Sequence, residues 1–568
     1  MNSDGLWVEE MALASSAACV NLRIRHRADT IFLLVMGGRV ITMQTGFAML
    51  ESAFGRQMNS ANIMMKNTMD LLTGAIIFFF VGYWIAFGSD RDNAKPHVDQ
   101  EVDLDYAMWF CQFGYATTAA TINSGALAGR VAFSSYLLLS LVLTGIIYPS
   151  IVRMTWGGGW LNEEGFVDFA GSAVVHLVGA VSAVVSASVC GPRIGRYENY
   201  RGGSRVWRFL MRQHKDDRFF HVPDDEMEKA VWTPIRLCNN PVQILFGVFI
   251  LIIGFLAFNP ASTFSTVDDQ DLIAARTTVI TLLFASGGGC ACAAWSFIRE
   301  RSAVVTIPDF ATAVLGAMVA SCACCHVIAP GVSLILGFIA ALIALGTAIL
   351  MDRLMIDDPV SAVAVHGPPA VLGVLAVPLF AKPHCHSDLR GLAYGGGGPA
   401  WELLKTQCVG VLAITGIVGG CSYVAVVLID MLLGLRCGRA AELIGLDFVE
   451  HHYDDGTFSE SKQAILVHSP IRDGLVSKVS RKIKHTPPKA YGTASQNGTG
   501  LTSGVEAASS EMVTDMKDMK EMKAQMDGMM RKIEALSLEL AHVKDTQDIT
   551  DLAVRKNRGP DAVVVSEL

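Results

Sequence analysis

The stretch DFAGSAVVHLVGAVSAVV, residues 168–185, sets one carboxylate and one imidazole in a run of apolar and small residues. A second stretch, DDPVSAVAVHGPPAVLGVLAV, residues 357–377, does the same in the other half of the chain. Asp168 and His176 are eight residues apart, and so are Asp358 and His366. Ionisable side chains are costly in hydrocarbon and usually mark a pathway or a site. Two such pairs at matching places call for a duplicated architecture built around them.

Composition agrees with a membrane setting. The 568 residues are 51% hydrophobic and 17% charged, where a soluble chain carries about 25% charged residues. Charges are sparse from Ile31 to Leu435 and dense beyond Arg436. The net charge of −8 therefore belongs to loops and tails, and gives no sign of a nucleic-acid partner. Thirteen cysteines are scattered, many in apolar runs, which argues against a disulfide framework. No basic n-region precedes an apolar core, so no cleavable signal is read.

Spanning a ~30 Å hydrocarbon core takes about 20 apolar residues. Runs of that kind fall at about 31–52, 68–88, 106–128, 134–154, 167–190, 240–261, 272–297, 303–325, 331–351, 359–381 and 402–432. The expected class is an all-α polytopic membrane protein of 11 transmembrane helices. With the N-terminus outside, the inner loops gather Arg56, Lys66, Arg130, ten basic residues from Arg193 to Arg236, Arg299, Arg301 and Arg353. The outer loops hold only Arg91, Lys95, Arg153, Lys382 and Arg390. Positive charge inside then places the C-terminus in the cytoplasm, against the mild contrary pull of Arg23, Arg25 and Arg27.

The expected organisation is an extracellular segment 1–29, a transmembrane domain 30–435 with a long basic cytoplasmic loop 191–237, and a cytoplasmic tail and linker 436–510. That loop reads either as a surface-lying segment or as a solvated insertion. Met522, Met526, Met529, Ile533, Leu536, Leu540 and Val543 alternate spacings of four and three. They predict a coiled coil over 511–545 between subunits, with an isolated amphipathic helix as the plainer reading. A disordered tail, 546–568, follows.

GFAMLESAF (46–54) ends the first span and GFLAFNPAS (254–262) the sixth, while the two Asp–His stretches fall at the fifth and tenth. Two five-helix halves followed by an eleventh helix must be inverted copies, and inverted repeats place their site at the midplane between them. His176 and His366 are then expected to face each other. Imidazole suits a conduction line, since one ring nitrogen donates while the other accepts. Two facing rings disfavour a doubly charged state. A single buried histidine reads as easily as a packing residue; two at symmetric positions favour a pore. Two ligands are too few for ordinary zinc. Asp168 and Asp358 stand about two turns ahead, where a carboxylate caps a helix and suits its dipole. Asp168 can in addition stabilise a cation outside the pore.

These residues also carry a resemblance. GFAMLESAFGRQMNSANIMMKN, SGALAGRVAFSSYLL, WGGGWL, VDFAGSAVVHLVG, FLAFNPAS, DDPVSAVAVHGP and GLDFVEHHY lie in order across about residues 30–453. Together they resemble the ammonium transporters of the Amt/Mep/Rh superfamily, on the Amt/Mep side. The resemblance implies a homotrimer in the lipid bilayer, each subunit with its own hydrophobic pore and no cofactor. It aligns Trp156, Ser262, Asp168 and, loosely, Ser321 with an outer site for ammonium or its analogue methylammonium. Tyr115 and Phe258 align with two gating aromatics, His176 and His366 with paired pore histidines. Asn259 is expected to support its helix turn and Asp358 to be structural. The implied activity is recruitment and deprotonation of ammonium, then passage of ammonia, with or without a separate proton. No retention signal is read, so the plasma membrane is the expected location and an internal membrane the alternative; the long tail offers a cytoplasmic regulatory partner something to hold.

The sequence departs from the family at Tyr115, in place of phenylalanine, at Gly129 for glutamate, at Ser361 for aspartate and at Val449 for a regulatory threonine. A sensor signalling through its tail is the rival reading. A membrane enzyme using Asp168 and His176 is a third, with no cofactor fingerprint to support it. SCACCH (321–326) reads as helix packing rather than metal ligation, and His384, Cys385 and His386 as a plain loop. Asn497 in NGT matches a glycosylation pattern on what would be the cytoplasmic side.

Overall fold

Backbone amides in hydrocarbon find no water, so spanning segments close their own hydrogen bonds as helices. A computed structural model describes residues 3–88, 102–197, 239–301, 304–383 and 387–453, and no β-strand occurs among them. The predicted coiled coil, the linker before it, most of the basic loop, Asn497 and residues 384–386 lie outside the described residues.

In chain order the long helices are α1 (Ser3–Phe54), α2 (Ser60–Ile77, continuing through Tyr83–Phe87), α3 (Val102–Leu127) and α4 (Phe133–Val142, continuing through Tyr148–Thr155). Next come α5 (π turn Ser172–Leu177, then Val178–Cys190), α6 (Pro241–Ala261), α7 (Gln270–Glu300), α8 (Ile307–Cys324) and α9 (Pro330–Arg353). α10 is split into Ala362–His366 and Pro368–Phe380, and α11 is Gly397–Leu433. Among the described residues, ten helices are long and apolar enough to cross a membrane. α3 is not one of them. It carries Gln112, Thr117, Thr118, Thr121, Asn123 and Ser124, all buried among its neighbours. Large apolar side chains such as Phe80, Ile298, Leu412 and Met431 stand exposed on the outer faces, as a lipid-facing surface requires.

Three boundaries differ from the hydropathy reading. α1 begins at Ser3, well before residue 31, so the helix runs on past the apolar run. α5 begins at Ser172 rather than 167. α10 breaks at Gly367, ahead of Pro368, whose ring has no amide to donate back into the preceding turn.

α1 and α6, the first helices of the two halves, run antiparallel. Gln243, at the start of α6, donates to Met49 O at 3.2 Å and Ser52 Oγ at 2.6 Å, near the end of α1. Their backbones nearly touch, since a Cβ on Gly247 would lie 2.8 Å from Gly46 O. Small residues permit this approach where helices pack without help from water.

Loops and the segment after α11 gather at the end of the bundle opposite Trp156. Arg193 forms a bidentate pair with Asp357, at 2.7 and 2.9 Å. Two short helices, α12 (Arg439–Ile444) and α13 (Leu446–His451), dock beside it. Asp447 accepts from the amides of Ala61 and Asn62, the first turn of α2. Glu450 accepts from Phe133 N and the Asn62 side chain. Glu442 takes Ile194 N at 2.7 Å and Arg436 at 2.7 Å.

Candidate functional site

The two Asp–His stretches use one local device twice. Asp168 Oδ1 accepts from the amides of Gly171 and Ser172 at 3.1 and 2.8 Å; Oδ2 accepts from Ala173 and Val174 at 2.8 and 2.9 Å. All four orphan donors of a helix start are thereby satisfied. Asp358 does the same for Ala362 and Val363, at 2.9 and 2.8 Å. Three residues after each aspartate the backbone turns left-handed, at Gly171 (φ +90°) and Ser361 (φ +58°). Gly171 also has no room for a side chain: its Cβ would stand 2.6 Å from Val175 Cγ2 and 3.0 Å from the Trp156 ring.

Ser361 has no such excuse, being a non-glycine residue in a region that strains it. Its side chain makes no capping hydrogen bond. Ser361→Gly is therefore expected to stabilise the protein by about 0.5–1 kcal/mol without changing uptake, as thermal unfolding of the detergent-solubilised protein will report.

Beyond Gly171 the chain makes a π turn. The His176 amide reaches back five residues to Gly171 O, at 3.2 Å. Ser172 fixes this segment to α8, donating to Val319 O and accepting from Ala323 N, both at 2.8 Å.

From these supports a line of rings follows. The Trp156 indole donates to Asp168 O at 2.8 Å. Tyr115 sits 6.0 Å from Trp156 and meets Phe258 edge-on at 4.5 Å, centroid to centroid. Its hydroxyl donates to Phe258 O at 3.0 Å and lies 3.0 Å from Ser262 Oγ. Phe258 lies 5.4 Å from the His176 ring, and His176 lies 5.1 Å from His366, the two imidazoles 17° from parallel. Their Nδ1 atoms are 3.1 Å apart, so one carries the shared hydrogen-bond proton and the other accepts it. Tyr115, Phe258 and His176 are fully buried and His366 nearly so.

Ser321 is buried on α8. It donates to Met318 O at 2.6 Å and accepts from Asn259 at 2.9 Å. Asn259 also donates to Thr281 at 2.6 Å, so it ties α6, α7 and α8 together rather than only its own turn.

Three neighbours of the histidines escaped the sequence reading. Phe255 lies 5.5 Å from His176 and Phe47 lies 6.1 Å from His366. The signal for them was present: each follows a glycine in the paired motifs GFAMLESAF and GFLAFNPAS, so the repeat that supplies the histidines also supplies their aromatic walls. The third, Cys322, had no such signal. Its Sγ lies 3.5 Å from His176 Nε2. Cys322, Cys324 and Cys325 are all buried, and among the described residues no group of three His, Cys, Asp or Glu is arranged to hold a metal.

The sequence profile of the Ammonium Transporter Family matches residues 31–209 and 233–456. A putative ammonium transporter of Synechocystis is 32% identical over 453 residues, covering 75% of this chain and 89% of its own length. Ammonium transporter Amt2 of Archaeoglobus fulgidus is 31% identical, covering 74% and 87%. Among solved structures, one described as Sensor Amt Protein superposes with a TM-score of 0.63 at 25% identity, covering 75% of this chain and 99% of that one.

Proposed function

The chain belongs to the ammonium transporter family, and on that premise we propose a route for ammonium through the line of rings. Trp156, Ser262 and the Asp168 carboxylate collect ammonium on the outer side. The aromatic face and the hydroxyl hold the ion, and the carboxylate, its oxygens occupied by backbone amides, acts at a distance. The cation gives up its proton there to water on the outer side. Ammonia then passes Tyr115 and Phe258, and runs along His176 and His366, whose nitrogens replace the hydrogen bonds it had in water. Potassium is excluded because it has no proton to lose and an ion crosses a dry passage at far greater cost than a neutral molecule.

The observation that carries this reading is the imidazole pair, Nδ1 to Nδ1 at 3.1 Å, buried directly beneath Phe258. α3 is read as an eleventh spanning helix whose polar face lines the interior. The N-terminus is placed outside and the C-terminus in the cytoplasm, with three subunits in the plasma membrane, each with its own pore and its tail open to a regulatory partner. Residues 30–435 form the transporting domain and 436–568 the cytoplasmic part.

Labelled methylammonium uptake, in cells without their own ammonium transporters, tests the proposal. Uptake that saturates, is blocked by ammonium and ignores potassium is expected; its absence in cells with the protein at the surface rejects the transport route. Membrane current recorded alongside tells whether a proton accompanies the ammonia. The second reading, ammonium sensing relayed through the tail, is favoured by the likeness to a structure described as a sensor. It predicts a tail-dependent response that persists when flux is abolished.

Tyr115→Phe removes the hydroxyl that bonds Phe258 O and Ser262. The loss is expected to destabilise the ring pair by about 1 kcal/mol and to raise the maximal uptake rate, since the gate then swings without breaking a hydrogen bond. Initial rates at saturating methylammonium, normalised to surface protein, check it.

A further inference from the structure

Toward the Arg193 end, His366 borders a cavity of about 20 Å³, walled also by Phe47, Glu51, Thr121, Gly125 and Val360. That is room for one water-sized molecule, and ammonium is of that size. Glu51 is 1% exposed. Both hydrogen bonds to its carboxylate fall on the same oxygen: Asn67 Nδ2 and Ser124 Oγ each donate to Oε2 at 2.9 Å. Oε1 has no hydrogen-bond partner among the described residues, and it lies 3.4 Å from where a Cβ on Gly125 would stand. Glycine at 125 thus leaves this oxygen facing the space.

A second carboxylate stands behind the wall. Asp70 accepts from Tyr136 Oη at 2.9 Å, from Thr121 Oγ1 at 3.1 Å and from the Ser140 hydroxyl. Every partner of Glu51 and Asp70 is a neutral donor. Lys66, one turn from Asp70 on α2, gives its ammonium to Val131 O at 2.9 Å and forms no ion pair among the described residues. A buried acid with no cation in contact takes up a proton, and a small ion that reaches it can take that proton's place. Lys66 acts on Glu51 only through space, and beside the two acids lies a space for one small ion against an aromatic ring.

We infer that this cavity is a second ammonium-binding site, on the cytoplasmic side of the histidines, with Glu51 Oε1 as its counter-charge and the Phe47 ring as its wall. The inference rests on the transport route proposed above. Its ligand class is a small monovalent cation with N–H donors. Ammonium fits; methylammonium fits less well, by the volume of a methyl group; potassium has the charge but no donor for Oε1.

The test is infrared difference spectroscopy of the full-length protein in lipid vesicles, with ammonium chloride exchanged against sodium chloride. Wild type is expected to give a carboxyl band change that saturates with ammonium and is weaker by about tenfold in apparent affinity for methylammonium. Glu51→Gln, which keeps an oxygen for Asn67 and Ser124, is expected to lose that change. Glu51→Asp is expected to keep it at a shifted frequency. The same band change in wild type and Glu51→Gln overturns the site. Should the glutamine variant fail to fold, an unshifted band in Glu51→Asp overturns it equally. Methylammonium uptake by the same wild-type vesicles tests the transport route separately: no uptake rejects the route, while the Glu51 dependence of the bands still decides whether an ion binds.

Discussion

Replacing His176 by alanine is expected to lower the discrimination of ammonium over potassium by roughly 10- to 100-fold. The ring touches Phe255, Phe258 and His366 and lies next to Cys322. Its loss opens space in a fully buried part of the line and strands Nδ1 of His366, whose partner at 3.1 Å is gone. A buried polar group without a partner costs about 1–3 kcal/mol, and every 1.4 kcal/mol is tenfold in a rate. The space and the stranded nitrogen both invite water, and water lets an ion pass with its charge. His366→Ala is expected to act in the same direction through His176 and Phe47. Labelled methylammonium uptake against increasing potassium measures both variants. Unaltered uptake and selectivity in the two would remove the pair from the conduction line.

Asp357→Asn is expected to destabilise the protein by about 3–5 kcal/mol, the range for breaking a buried ion pair and leaving one charge behind. Arg193 and Asp357 are 7% and 1% exposed. The same aspartate accepts the Arg193 amide at 2.9 Å and has Arg196 at 3.5 Å, so the change leaves two guanidinium groups facing an amide. A pH signature separates this from a packing effect. Burial alone would raise the Asp357 carboxyl, yet the charges of Arg193 and Arg130 hold it well below the usual carboxylate range. A pKa lowered on folding adds stability above the unfolded value of about 3.9, and that stability is lost as pH falls through the folded one. Wild type should therefore weaken on the acid side, and Asp357→Asn should lack that part of the slope. Thermal unfolding of solubilised protein from neutral to acid pH measures both.

Much of this arrangement was legible because the chemistry repeats. Spans are long apolar runs, and ten of the helices answer to them. The matched Asp–His spacing marks the residues that the fold brings face to face. What hydropathy missed follows from its being a local average. It cannot see that Gly171 turns left-handed, which delays α5 to Ser172, nor that Gly367 and Pro368 divide α10. It scored α3 by its apolar residues, whereas the helix is placed by buried threonines, Asn123 and Ser124. Cys322 and Glu51 were unreadable for another reason. Each matters only through a neighbour far away in sequence, His176 across 146 positions and the cavity wall from α3 and α10.

The duplicated device is not executed identically. His176 hangs from a π turn, behind two phenylalanines and beside a thiol, while His366 ends a five-residue helix before a break and faces a space that holds a carboxylate. A conduction line whose two ends differ in this way has a polarity. Barriers met from one side occur in a different order from those met from the other, so at saturating ammonium the inward and outward rates differ, while the equilibrium and the low-concentration permeability are the same in both directions. Such rectification needs an asymmetric line and its saturation, and no moving part.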